Sequence, residues 1–230
     1  MKTAVIIPAY NEESSIALVV KAIPKDLIDD VIVVNNNSTD NTVNEASSAG
    51  AIVLNETFQG YGAACLTGID YCKGKNYDVI VFLDGDFSDY PEEILLLLDP
   101  IRNEGYDFIL GSRVMGEREK GALPLQSRIG SIIAGVLINF FWKVKYTDLG
   151  PFRAIKFDKL IELDMNDKWY GWTVEMQIKA AQKGYKQKEV PVKYRKRIGK
   201  SKVTGTIKGT VMASIIIIST IFKYALKGNK

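Results

Sequence analysis

The sequence VIVFLDGD at residues 79–86 is an apolar run that ends abruptly in two acidic residues separated by a glycine. The run is nearly continuous instead of alternating, which is typical of a parallel strand covered by helices on both faces. Ligands of open α/β folds bind at the carboxyl ends of such strands. We therefore expect Asp84 and Asp86 at a ligand-binding edge of a sheet, although an ordinary Asp-Gly turn would give the same residues.

Four similar β-branched runs lie elsewhere in the chain, at Thr3–Ile7, Val31–Val34, Ala51–Leu54 and Phe108–Leu110. Segments with a helical pattern fall between most of them. This alternation predicts βαβ units and an α/β fold, with a mostly parallel central sheet and helices on both faces.

Three helix starts are predicted between these strands. Asn11 can cap the first helix, with Glu12 and Glu13 in its first turn, where acidic residues favour the positive end of the helix. The second start is predicted at Ser38–Asp40 and the third at Pro91.

After about residue 115 the alternation of strand-like and helix-like segments becomes less regular. Gly116–Leu125 predicts a loop, and an apolar helix is expected from about Ser127 to Trp142. Further on, a second strand-forming region is expected at Phe152–Phe157 and Lys188–Val192, with an amphipathic helix at Thr173–Gln182 between its two parts.

The composition removes several classes of function. The 230 residues include no histidine, which excludes Ser-His-Asp and Cys-His nucleophilic schemes and zinc sites built on imidazole. The formal net charge of +3 is too small for a general nucleic-acid binder, so no nucleic-acid partner is expected.

Cys65 and Cys72 should lie about 10 Å apart along one helix, too far for a disulfide. With no secretory signal pattern at the first residues, we expect a cytoplasmic protein.

Two further polar loops should open at the edge that carries Asp84 and Asp86. The first strand runs into residues 8–12 and the second into residues 35–40. Either could be only a helix cap or a turn, but together the three loops would form the walls of a nucleotide pocket. Two neighbouring carboxylates suit Mg²⁺ or Mn²⁺. A dinucleotide-binding glycine motif and a P-loop are both missing, so a dehydrogenase or P-loop nucleotidase is disfavoured.

An ordered set of motifs extends along nearly the whole chain. The motifs are IPAYNE at 7–12, VVNNNSTD at 33–40, QGYG at 59–62, LDGD at 83–86, GSR at 111–113, GPFR at 150–153, EVPV at 189–192 and RIGKSK at 197–202. This set resembles glycosyltransferase family 2, with its GT-A nucleotide-sugar fold, and most of all the branch that contains dolichol-phosphate mannose synthase and polyprenyl-phosphate glucosyltransferases. The resemblance implies a catalytic domain over residues 1–202, with a nucleotide-sugar-binding half to about 115 and an acceptor half at 116–202. A C-terminal helical segment at 203–230 would follow.

The resemblance also implies roles for individual residues. Asp84 and Asp86 would hold the metal ion and the diphosphate of a nucleotide-sugar donor. Arginines near the donor diphosphate or the acceptor phosphate would be Arg113, Arg128 and Arg197. Residues of the nucleotide pocket would be Pro8, Tyr10, Glu12, Asn36 and Gly60.

Two positions depart from the family pattern. Asn35 and Asn36 stand where the family usually has two aspartates, and the aspartate at the position of Asn36 contacts the base or ribose; the choice between UDP and GDP is therefore open. Ser88 replaces a glutamine that often follows the paired acids, so the third metal ligand would be a water or absent.

The resemblance implies inverting transfer of a hexose, and two acceptors remain open. A polyprenyl or dolichyl phosphate is already anionic and needs cations instead of a general base. A saccharide hydroxyl would need a base, for which Glu175 is the candidate unless it is simply an exposed helical residue. Asp148 could line the acceptor site or cap a turn. Two further functions stay open, that of a sugar nucleotidyltransferase and that of a non-catalytic nucleotide-sugar-binding protein.

The C-terminal region favours a lipid acceptor. A basic run at Lys193–Lys202 precedes the apolar run Val211–Phe222, which at twelve residues is shorter than the roughly 18 to 20 needed to span a bilayer. Such a segment can lie in the membrane interface, here at the cytoplasmic face, with Ile129–Trp142 as a second interfacial element or as part of the core. Alternatively, the terminal helix packs onto the catalytic domain or onto a second copy in a homodimer.

Overall fold

The computed structural model describes residues 1–199 and 207–227. Within them, seven strands form one sheet in the order β3-β2-β1-β4-β6-β5-β7. The strands are β1 (Thr3–Ala9), β2 (Asp30–Asn35), β3 (Ile52–Asn55), β4 (Val79–Phe82), β5 (Phe108–Ser112), β6 (Arg153–Lys156) and β7 (Gln187–Pro191). The helices are α1 (Ile16–Ala22), α2 (Thr42–Ser48), α3 (Tyr61–Cys72), α4 (Ile94–Glu104), α5 (Leu125–Trp142), α6 (Phe157–Glu162), α7 (Trp172–Gln182) and α8 (Ile207–Lys227).

The sheet is mostly parallel, as the sequence predicts. β1 pairs in parallel with β2 and β4, β2 with β3, and β5 with β7. The exception is β6, which runs antiparallel to both of its neighbours. Because β1, β2 and β4 run in one direction, their carboxyl ends meet at one edge.

Both faces of the sheet are buried, which explains the nearly continuous apolar runs. On one face Ile6 and Ile80 belong to a cluster that includes Trp172 of α7. On the other face Val5 and Val81 pack with residues of α1 and α4. Cys65 and Cys72 are both buried and unbridged, as expected from their spacing on α3.

The prediction that Asn11 caps the first helix is wrong. α1 begins only at Ile16, and its first turn contains no acidic residue. Asn11 has a φ of 53°, and its Oδ1 accepts the N–H of Thr39 at 2.8 Å. The polar side chains that would suit a helix cap instead join the loops after β1 and β2. The other two starts are confirmed within a few residues, since α2 begins at Thr42 and a 3₁₀ turn at Pro91 leads into α4.

The C-terminal helix is longer than its apolar run, with 21 residues in α8. One face packs on the fold, where Ile221 is fully buried and the Tyr224 hydroxyl donates to Glu175 of α7 at 2.6 Å. The expectation that α8 packs onto the catalytic domain is thus confirmed for that face. The end of the predicted basic run and of the C-terminal segment, residues 200–206 and 228–230, lies outside the described residues.

The other face of α8 and the neighbouring face of α5 are apolar and exposed. We call this region the apolar surface; its exposed residues are Ile129, Ile132, Ile133, Val136, Phe140 and Phe141 of α5, and Val211, Met212, Ile215, Ile218, Phe222 and Leu226 of α8. Among the described helices, α5 alone is long and apolar enough to cross a membrane, a test that core helices of soluble proteins also pass. Its buried residues pack inward, where a Cβ on Gly135 would lie 2.3 Å from the Tyr146 carbonyl oxygen.

Candidate active site

The loop after β4 places Asp84 and Asp86 at the carboxyl edge of the sheet, as predicted. Asp84 Oδ1 is buried and has no hydrogen-bond partner within the described residues. Burial raises the pKa of Asp84, while Arg197 and Arg113 act in the opposite direction. Asp86 is 2% exposed, and its Oδ1 accepts the backbone N–H of Ser88 at 2.9 Å.

The two carboxylates fit a hard divalent cation. A buried carboxylate oxygen without a partner is costly, and a bound cation would remove that cost. No group of three or more acidic or cysteine side chains able to hold a metal occurs within residues 1–199 and 207–227. Asp84 and Asp86 are therefore the residues of this loop that could hold such a cation.

Residues 195–198 contact the loop that contains Asp84 and Asp86. The backbone N–H groups of Arg195 and Ile198 donate to the carbonyl oxygens of Ser88 and Asp86, both at 2.9 Å. The Arg195 guanidinium lies 3.5 Å from the centre of the Phe87 ring. These contacts bring Arg197 into an ion pair with Asp86 Oδ2.

Arg113, after β5, is held by a second ion pair. Its Nε and Nη2 each donate to the Asp148 carboxylate at 2.8 Å, and its backbone N–H donates to Asp148 Oδ2 at 2.9 Å. Although burial alone would raise it, the pKa of Asp148 is lowered by the charge and hydrogen bonds of Arg113. Asp148 therefore positions Arg113, and it also accepts the N–H of Leu149 at 2.8 Å, as a turn cap would.

A cavity of about 420 Å³ is lined by these charged groups and by residues of the loop before α5, of α5 and of α8. Its charged lining residues include Asp84, Arg113 and Arg197. The loop before α5 contributes residues 121–124, and α8 contributes Ala213, Ser214 and Ile217. The cavity thus offers cations for a phosphate and an apolar wall next to the exposed apolar surface.

Residues 4–163 match the family model described as Glycosyl transferase family 2. The chain belongs to glycosyltransferase family 2. It is accordingly an enzyme, as the sequence predicts, and the matched range includes Asp84, Asp86 and Arg113.

Relatives of this glycosyltransferase include enzymes named for lipid phosphates. It is 29% identical over 230 residues to an undecaprenyl-phosphate mannosyltransferase of Micrococcus luteus, covering 94% of this chain and 93% of that protein. It is 31% identical over 220 residues to a dolichyl-phosphate hexose transferase of Haloferax volcanii, covering 93% of this chain and 92% of that protein. Both relatives are consistent with the polyprenyl-phosphate branch of the family.

The fold is also that of a solved glycosyltransferase. Glucosyl-3-phosphoglycerate synthase from Mycobacterium tuberculosis, in complex with Mn²⁺, UDP and glucosyl-3-phosphoglycerate, matches with a TM-score of 0.76 at 21% identity. The match covers 97% of this chain and 80% of that one. The expected GT-A fold is confirmed.

Two predicted site residues of the glycosyltransferase, Arg128 and Glu175, do not line the cavity that contains Asp84. Arg128 is exposed on α5 and is not among the described residues lining the cavity. Glu175 is likewise outside the cavity lining, and it borders a separate cavity of about 290 Å³. The expectation of an exposed helical Glu175 is wrong, because the residue is 1% exposed.

Asn36, a predicted residue of the nucleotide pocket, makes hydrogen bonds within the protein. Its Nδ2 donates to the Phe58 carbonyl oxygen at 2.8 Å, and its Oδ1 accepts the N–H of Gly60 at 2.7 Å. Asn36 therefore fixes the approach to α3. Pro8, Tyr10 and Glu12, partly exposed at the end of β1, remain predicted contacts of the nucleotide.

Asp89 is a buried acidic residue beside the candidate site that sequence reasoning missed. It is 1% exposed, and neither carboxylate oxygen has a hydrogen-bond partner within the described chain. Burial, and next the charge of Asp84, raise the pKa of Asp89 from 3.8 to about 7. A third acid so soon after Asp84 and Asp86 was the available signal.

Asp89 should make stability depend on pH near neutrality. Because its folded pKa of about 7 exceeds the unfolded value of 3.8, the group loses stabilising free energy as pH rises from about 4 to 7. The loss can reach about 4 kcal/mol at roughly 1.4 kcal/mol per pKa unit. In metal-free protein, Asp89→Asn should therefore gain stability relative to wild type between pH 5 and pH 8. Urea unfolding at several pH values measures the free energy of unfolding of both proteins. Asp26→Asn, at an exposed position, is the control. If the free energy of unfolding of Asp89→Asn changed with pH in parallel with that of wild type, the raised pKa of Asp89 would be contradicted.

Proposed function

We propose that this glycosyltransferase moves a hexose, with inversion, from a UDP- or GDP-linked sugar to a polyprenyl or dolichyl phosphate. The observation that carries the proposal is the cavity that Asp84, Arg113 and Arg197 line together with apolar side chains, among them Leu123 before α5 and Ile217 of α8. The names of the two lipid-phosphate relatives support the same acceptor class.

At the donor end, Asp84 and Asp86 would hold Mg²⁺ or Mn²⁺, which would supply charge stabilisation for the departing nucleotide diphosphate. Asn36 keeps the segment before α3 in place through Phe58 and Gly60. The crystal of the related synthase with Mn²⁺ and UDP supports this class of donor and metal.

At the acceptor end, guanidinium groups bind and orient the phosphate. Arg113 is fixed by Asp148 before any ligand arrives, so little side-chain order is lost on binding. Arg197 pairs with Asp86, and a metal ion on that carboxylate would leave the guanidinium available to an anion. A phosphate acceptor needs no general base, which agrees with the absence of histidine.

The saccharide-hydroxyl alternative has weaker support. It requires a base beside the acceptor, and Glu175 borders a different cavity from the one containing Asp84. Family membership leaves the nucleotidyltransferase and non-catalytic interpretations without support.

The apolar surface would place the enzyme at the cytoplasmic face of a membrane. Lys143, Lys145 and Lys223 are exposed near it and could approach anionic headgroups. In this proposal residues 1–115 bind the donor and contribute Arg113 to the acceptor phosphate, 116–202 form the rest of the acceptor half, and 203–230 add the interfacial helix. A homodimer that buries the same surface is the competing arrangement.

Charged substitutions on the apolar surface test this arrangement. Ile215→Glu with Ile218→Glu should reduce vesicle binding about 100-fold, because each side chain contributes about 1.5 kcal/mol or more when buried. Transfer to polyprenyl phosphate in vesicles should fall with it, while nucleotide binding stays unchanged. Leu95→Glu with Leu96→Glu, on the exposed face of α4, is the matched control.

If the Ile215→Glu, Ile218→Glu variant binds vesicles as tightly as wild type, membrane binding by the apolar surface is contradicted. If the wild-type protein is a dimer and the same variant is a monomer, the homodimer is favoured instead. Sedimentation of vesicles and of free protein distinguishes these results.

A further inference from the structure

The Glu175 carboxylate lies in a buried cluster that joins α7, α8 and the loop before α7. Its Oε1 accepts the Tyr224 hydroxyl of α8 at 2.6 Å and pairs with Lys179 Nζ at 2.9 Å. Its Oε2 accepts the backbone N–H of Asp167 at 2.8 Å, and both oxygens lie 3.2 Å from the backbone nitrogen of Asn166. All four partners are donors, so the cluster requires an acceptor at each oxygen.

The same loop closes the start of α3. The first N–H groups of a helix have no partner within it. Here Gly62 N–H donates to the Trp169 carbonyl oxygen at 3.2 Å, and Ala63 N–H donates to that of Lys168 at 3.0 Å. The approach is close, since a Cβ on Gly62 would lie 2.0 Å from the Asp167 carbonyl oxygen. The position of the loop therefore sets the position of the first turn of α3.

The first turn of α3 in turn reaches the candidate active site. Tyr61 lines the same cavity as Asp84. Burial, and next the charge of Asp84, raise the pKa of Tyr61, as expected if the two groups are near each other. Immediately before it, Gly60 N–H donates to Asn36 in the nucleotide pocket.

We propose that Glu175 is a positioning residue through which α8, the helix of the apolar surface, holds the donor-binding start of α3 in place. The inference rests on the proposed function for the identity of the ligand at that site. It assigns Glu175 no contact with substrate, in contrast to a general base. If the loop is released, the start of α3 must be ordered when the donor binds, and the affinity for the donor falls.

Two substitutions break the cluster in different ways. Tyr224→Phe removes only the hydroxyl that connects α8 to Glu175. Glu175→Gln keeps the shape but points an amide NH₂ group at a donor, so one contact becomes repulsive. Tyr185→Phe is the matched control, because the Tyr185 hydroxyl also donates to a glutamate, Glu162 Oε2, at 3.0 Å but on α6.

Hydrogen exchange and donor titration together test the proposal. Both cluster variants should speed amide exchange in residues 59–66 and weaken binding of UDP or GDP with Mn²⁺ by about threefold or more, a typical size for coupling through contacts. Tyr224→Phe should keep the wild-type kcat at saturating donor, and Tyr185→Phe should match wild type in every measurement.

Unchanged exchange at 59–66 in both cluster variants would overturn the positioning role. So would a Glu175→Gln enzyme with a lower kcat and unchanged donor affinity, which is the result for a general base. If wild type binds neither nucleotide, the proposed function fails, and the exchange comparison still decides the role of Glu175. Should Glu175→Gln not fold, Tyr224→Phe decides alone.

Discussion

Asp84→Asn is expected to abolish hexose transfer while leaving the protein folded. The substitution removes a charge from the carboxylate whose Oδ1 is buried without a hydrogen-bond partner in the described chain, so no native hydrogen bond of that oxygen is lost. Loss of metal-supported stabilisation of the leaving group should cost about 3 kcal/mol or more, which is over 100-fold in rate.

Transfer assays and calorimetric titration of nucleotide diphosphate, with and without Mn²⁺, measure the effect. Asp70→Asn is the matched control, because Asp70 is an exposed residue that pairs only with Lys73 among the ion pairs of the described residues. Retained transfer in Asp84→Asn, with Mn²⁺ still strengthening nucleotide binding, would exclude the metal site at this loop.

Asp148→Asn should instead destabilise the fold, by about 3 to 5 kcal/mol, because it leaves a buried guanidinium without its counter-charge. The Arg113 side chain is only 12% exposed, and that of Asp148 is fully buried. The lowered pKa of Asp148 means that the pair stabilises the protein above the unfolded pKa of about 4 and loses this contribution as pH falls through the folded value.

Urea unfolding at pH 7 measures the loss. Adding Arg113→Gln to Asp148→Asn should restore part of the stability without restoring transfer, since the unpaired charge is removed but the phosphate-binding group is not replaced. Asp107→Asn, which breaks a more exposed pair with Lys156, should cost about 1 kcal/mol or less. An equally small cost for Asp148→Asn would refute the buried-pair account.

The mostly parallel direction of the strands could be predicted because parallel strands buried on both faces leave uninterrupted apolar runs. The antiparallel direction of β6 could not, since its apolar run looks the same in either direction. The predicted start of α1 is too early because Asn11 and Glu13 suit a helix cap. In the fold Asn11 and Glu13 accept N–H groups of Thr39 and Asn41 instead.

The part of the candidate site that directly follows β4 could be predicted from the sequence. Asp84 and Asp86 follow directly from the end of β4, but the pairing of Asp86 with Arg197 joins residues 111 positions apart. No local pattern records such a contact, and only the resemblance to a family pointed to Arg197. The burial of Glu175 was equally hidden, because the helical pattern of α7 does not reveal that Tyr224 of α8 covers it.

The most direct test of the central claim is the identity and configuration of the product. Radiolabelled UDP- and GDP-hexoses would be incubated with the enzyme, Mn²⁺ and vesicles containing a polyprenyl phosphate, with the matching polyprenol and soluble saccharides as parallel acceptors. The proposed function predicts labelled polyprenyl-phosphate hexose with an inverted anomeric centre from one of the donors, and no product on polyprenol. Transfer to a soluble saccharide hydroxyl, with the polyprenyl phosphate left unlabelled, would contradict it.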